Sequence, residues 1–83
     1  MREYTEAQQV LTNDKIAELE AEHKSDPETF RGTKGKNGGP WSGAGIQRSK
    51  RMLENLSTQP PSDNSQQAWR LGAMSRLGAI VNG

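Results

Sequence analysis

The chain has 83 residues, no cysteine and a net charge of +1 at pH 7. That length allows one domain at most, and the missing thiols exclude a disulfide framework and a Cys-ligated metal. Leu, Ile, Val and Phe number only 12, and Met, Trp and Tyr bring the large apolar set to 18, so the intrinsic core is expected to be small, and chains so short and so poor in core usually gain stability by association.

The near-zero net charge hides a segregation. Residues 1–30 hold three basic against eight acidic side chains, a net −5. Residues 31–56 hold six basic side chains against Glu54, a net +5. Such asymmetry suggests oriented contacts, or an anionic partner for the middle of the chain. Met1-Arg2-Glu3-Tyr4 precedes no apolar run and does not read as a signal peptide. No window approaches a membrane span. A cytoplasmic location, or a virion assembled in the cytoplasm, is expected.

The chain divides into five segments: an acidic helical stretch at 1–31, a glycine-rich basic loop or arm at 32–45, a basic amphipathic helix at 46–56, a linker at 57–65 and an apolar helix at 66–83. Thr5-Glu-Ala-Gln8 fits a capping box. Tyr4, Ala7 and Leu11 share one helical face, but Ile16 and Leu19 are out of phase with it. The slip at Thr12-Asn13-Asp14 predicts two helices, about 5–11 and 13–24, or one helix with a kink. Ser25-Asp26-Pro27-Glu28 is a further start signal, with Asp26 as cap and Pro27 at the first helical position. It opens a single turn that presents Phe30.

Residues 32–45 contain six of the nine glycines, with Pro40 and Trp41 among them. That density excludes a helix or a central strand over most of the segment. From Ile46 to Leu56 the spacing is helical again: Ile46, Ser49, Met52, Leu53 and Leu56 on one face, Arg48, Lys50 and Arg51 on the other. Pro60-Pro61 marks the linker, and Asp63, Asn64 or Ser65 is placed to cap the final helix.

The last segment is the most apolar. Trp69, Ala73, Leu77 and Ile80 recur at helical spacing. Arg70-Leu-Gly-Ala repeats as Arg76-Leu-Gly-Ala, six residues on. On a helix the copies are turned about 120° from each other. Gly72 and Gly78 each weaken a helix by about 1 kcal/mol relative to alanine. They also permit close approach of another backbone. The fold expected is therefore mainly α: three to four short helices joined by the glycine-rich loop and the Pro/Ser/Gln linker, extended, with a low intrinsic core.

No catalytic constellation emerges. His23 is the single histidine, so Glu20-Ala-Glu-His23 gives one carboxylate–histidine spacing with no second copy to complete a metal site. Gly32-Thr-Lys-Gly-Lys36 lacks phosphate-loop spacing, and Ser42 does not fit a nucleophile elbow. No enzyme activity, cofactor, metal or small-molecule substrate is expected. The expected role is that of a small structural or accessory protein docking on a larger protein assembly or on further copies of itself. Cement, lining or joining components of virions are proteins of this style. Trp69, Leu71, Met74, Leu77 and Ile80 would dock, and Trp41 and Phe30 would clip the arm. Two other classes stand beside it. One is nucleic-acid binding through Lys34, Lys36, Arg48, Lys50 and Arg51, with Trp41 to stack a base. The other is inhibition of a host enzyme, with Glu18, Glu20 and Glu22 as a decoy for a basic cleft.

Overall fold

The computed structural model describes residues 5–33, 41–58 and 63–82. Four helices succeed one another: α1 (Glu6–Ser25), α2 (Pro27–Arg31), α3 (Ala44–Thr58) and α4 (Asn64–Asn82). Among the described residues there is no strand. The mainly α expectation holds, and so do its start signals. The Gln8 N–H donates to Thr5 Oγ1 and the Thr5 N–H donates to Gln8 Oε1, closing the capping box of α1. The Thr29 N–H donates to Asp26 Oδ1, and Pro27 comes after the cap, where its missing N–H costs nothing. Asp63 caps α4 by accepting the Gln66 N–H at 2.8 Å.

Two expectations are corrected. Of the two alternatives for residues 5–24, the division into two helices is set aside and the single helix holds, because α1 runs unbroken from Glu6 to Ser25. The phase slip has another meaning: Leu11 faces out while Ile16 and Leu19 face in. Asn13, within that slip, accepts the indole N–H of Trp69 at 2.9 Å. The second correction concerns α3, which starts at Ala44 and takes Gly45 into the helix. The tip of the glycine-rich loop, with Lys34, Lys36 and Pro40, lies outside the described residues.

Side-chain bonds fix the helix directions. Asn13 meets Trp69 and Glu20 meets Arg76, so a step of two turns along α1 matches two turns along α4, and these helices are parallel. Near the C-terminal end of α1, Glu22 meets Arg48 in the first turns of α3; near the other end Thr12 lies by Asn55, so α1 and α3 are antiparallel. Arg70, early in α4, donates to the carbonyls of Leu56 and Ser57 at the end of α3, as a helical hairpin requires. The result is an up–down–up bundle, with α2 across one end. Its layout is more compact than the extended one that the shortage of apolar residues suggests.

One core holds it together. Ile16, Leu19, Phe30, Ile46, Leu56, Ala73, Leu77 and Ile80 are buried, and Trp41, Met52, Leu53, Trp69 and Met74 pack around them half-buried. Every helix contributes. At about 1.5–3 kcal/mol for each fully buried large side chain, these residues supply the main favourable term. Ser49 is the single buried polar side chain among the described residues; its hydroxyl donates to the Gly45 carbonyl, the i−4 bond that lets serine sit inside a helix.

The repeat in α4 acquires a structural account. Its arginines are about a third of a turn apart in direction, and they reach two different neighbours. Arg70 caps the C-terminal carbonyls of α3, while Arg76 forms a double hydrogen bond with Glu20 of α1. The glycines of the repeat have no such account, because a methyl group on Gly72 or Gly78 would touch nothing within 4 Å. Gly72→Ala and Gly78→Ala are each expected to raise stability by about 1 kcal/mol, measured as a higher urea midpoint with an unchanged slope.

Candidate functional site

Three of the seven side chains expected to dock are buried in this fold: Phe30, Leu77 and Ile80 are at most 5% exposed. Trp41, Trp69 and Met74 lie half-buried against the same core. The hydrophobic spacing that pointed to a partner is met by α1 and α3 instead. Trp69 anchors α4 to α1 through Asn13, and Trp41 lies under the Arg31 guanidinium, 5.9 Å from its ring centroid. Only Leu71 of the set faces outward, 54% exposed.

Arg31 is a junction that its sequence context does not announce. Its Nε donates to His23 Nε2 at 3.1 Å, and its Nη2 donates to the Ile80 carbonyl at 2.8 Å. One side chain of α2 thereby ties α1 to the C-terminal end of α4. His23 also stacks at a tilt on Phe30, with ring centroids 5.1 Å apart. Its Nε2 is occupied by Arg31, and Glu20 by Arg76, so the Glu-x-x-His spacing serves packing. Among the described residues no group of three acidic, His or Cys side chains is placed to hold a metal.

The charge segregation is partly resolved inside the chain. Arg48 donates to both oxygens of Glu22, at 3.1 and 3.2 Å. Arg76 holds both oxygens of Glu20, and those bonds keep the Glu20 carboxyl below its ordinary carboxylate range. Both pairs are about half exposed, so each contributes about 1 kcal/mol at most. Their larger effect is to set which helix lies beside which. Of the remaining predicted cations, Arg51 is exposed and Lys50 half-exposed on α3.

Among the described residues three large aliphatic side chains stand more than half exposed: Val10 and Leu11 on α1, and Leu71 on α4. Around Leu71, the exposed residues of α4 are Ala68, Gly72, Ser75, Ala79 and Asn82, none of them charged. No helix among the described residues is long and apolar enough to cross a membrane. No family model, curated protein or solved structure matches this chain.

Proposed function

We propose that this chain is a small non-enzymatic structural or accessory protein that docks on a larger protein assembly, of the kind that cements, lines or joins the subunits of a virion. The observation that carries the reading is Leu71, exposed in the middle of an outer α4 face without a single charged side chain. A quarter of the whole chain is charged, so a 19-residue helix with an uncharged outer face is a departure that suits protein contact. Each rival class draws in part on side chains with internal partners. Nucleic-acid binding would use Arg48, which Glu22 neutralises, and an acidic decoy would use Glu20 and Glu22, which Arg76 and Arg48 hold.

Leu71→Asp tests the reading, because it adds a charge to that face without entering the core. It is expected to leave the melting temperature within a few degrees of the parent. It is also expected to abolish recovery of a partner that co-purifies with the parent chain at fixed stoichiometry. A parent chain that recovers no stoichiometric partner, or a Leu71→Asp chain that recovers the same one, would remove the proposal.

A further inference from the structure

A groove runs between α1 and α3, and no residue of α4 lines it. It measures about 310 Å³ and has Leu19 and Met52 at its base. A smaller hollow of about 160 Å³ between Thr12 and Asn55 continues it towards the N-terminal turns of α1. On α1, Leu11, Lys15, Glu18 and Glu22 succeed one another at spacings of four, three and four, so they form one stripe. Lys15, Glu18 and Glu22 line the groove, which places Leu11, 59% exposed, at the end of the same stripe. The α3 wall carries Arg48 and Arg51. Beyond Lys15, the α1 wall is therefore acidic, at Glu18 and Glu22, where the α3 wall is basic.

The two walls match in height. Glu22 and Arg48 meet directly at 3.1 Å. One turn further from that end, Glu18 and Arg51 stand on opposite walls, and neither has an ion-pair partner among the described residues. A surface with this pattern is its own complement. Rotating a second copy by 180° about an axis along the groove sets α1 over the partner's α3. Glu18 then faces the partner subunit's Arg51, and Glu22 faces the partner subunit's Arg48. An axis across the groove would instead lay acid on acid and base on base.

We infer that the α1–α3 groove is a symmetric interface between two copies of this chain. The interface is isologous, so each charge contact occurs twice. It fixes orientation more than it adds affinity, because rim charges act mainly through specificity and association rate. From Leu11 to Glu22 the stripe spans roughly 17 Å of helix, which makes a small patch and a concentration-dependent dimer. The face differs from that of Leu71, so this inference and the proposed function stand or fall separately.

Sedimentation equilibrium of the full chain from about 10 to 500 μM tests it. The parent is expected to show a monomer–dimer equilibrium that weakens with salt. Glu18→Arg and Arg51→Glu, both on the surface, are each expected to raise the dissociation constant at least tenfold. Mixed in equal amounts they should return it to within about threefold of the parent, because in the mixed dimer the two introduced charges meet with opposite sign in one contact and the parental Glu–Arg pair is kept in the other. Glu18→Gln and Arg51→Gln, which only remove a charge, are expected to weaken the dimer severalfold and serve if a reversal disturbs folding as judged by circular dichroism. A parent that stays monomeric throughout, single variants that associate like the parent, or a mixture that fails to recover would each overturn the inference.

Discussion

Gly45→Ala is expected to destabilise the bundle by about 2–3 kcal/mol, an overpacking cost at the upper end of the usual range. A methyl group at this position would lie less than 3.0 Å from Cγ, Cδ2 and Cε2 of Phe30. Those atoms belong to the body of a rigid ring that is itself buried against His23, so no flexible end can swing aside. The ring must leave its seat or α3 must move away from α2. In a chain of this size the loss corresponds to a fall of about 10–20 °C in melting temperature. Phe30→Ala is expected to cost about 3–5 kcal/mol by opening a cavity at the same spot. The pair then gives a sharper test than either alone. Once the ring is gone, the added methyl has room, and alanine is the better helix former by up to about 1 kcal/mol. Gly45→Ala in a Phe30→Ala background is therefore expected to be neutral or stabilising. Additive losses in this double-mutant cycle would show that the two positions do not share one packing contact.

This contact marks the limit of what the sequence displays. The starts of α1, α2 and α4 are legible because each is a local chemical event: Thr5 and Gln8 exchange bonds three residues apart, and Asp26 and Asp63 each accept an N–H three residues on. The inward faces of α3 and α4 are legible from spacing, and Ile46, Ser49, Leu56, Ala73, Leu77 and Ile80 are indeed the buried ones. Spacing does not tell whose core such a face enters. An apolar stripe reads the same whether it packs on a partner or on another helix of its own chain, so Phe30, Leu77 and Ile80 read as docking residues and yet lie inside. Long-range pairs are equally invisible. Asn13 with Trp69 and Glu20 with Arg76 are each 56 residues apart, and nothing in either neighbourhood singles out the other. The opposite charges of the first and middle thirds do contain a signal. It points outward in the sequence, whereas two of the acidic side chains are answered within the chain, by Arg48 and Arg76. Leu71 and Leu11 gain meaning only by subtraction, as large apolar side chains left over when the core is filled.

Gly43→Ala is expected to be more damaging still, at about 3 kcal/mol or above, because the obstruction is backbone rather than side chain. The Gly43 N–H donates to the Arg31 carbonyl at 2.7 Å, and Ser42 Oγ donates to the Thr33 carbonyl at 3.1 Å. These bonds close the two ends of the glycine-rich loop on each other. Gly32 completes the approach with φ of 75°, a region that side chains other than glycine's rarely adopt. A methyl on Gly43 would lie under 3.0 Å from the Phe30 carbonyl oxygen, the Arg31 carbonyl carbon and the Gly32 nitrogen. None of the three can rotate away without breaking the last turn of α2. The closure must open, with the Arg31 bond lost and its carbonyl left unpaired, at about 1–3 kcal/mol for that group alone. Trp41 sits two residues from Gly43 and packs on the core under Arg31, so its loss of cover supplies a local readout. With Trp69→Phe in both parent and variant to isolate the signal, Trp41 emission is expected to shift to the red under native conditions in Gly43→Ala, while Gly72→Ala leaves it unchanged. The closure also sets where α3 begins, and Arg48 and Arg51 are carried from that start to the wall opposite Glu18 and Glu22. An alanine at 43 that left the melting curve and the Trp41 spectrum at parental values would show that the two loop ends do not approach this closely, and the alignment of the α1 and α3 walls would lose its support.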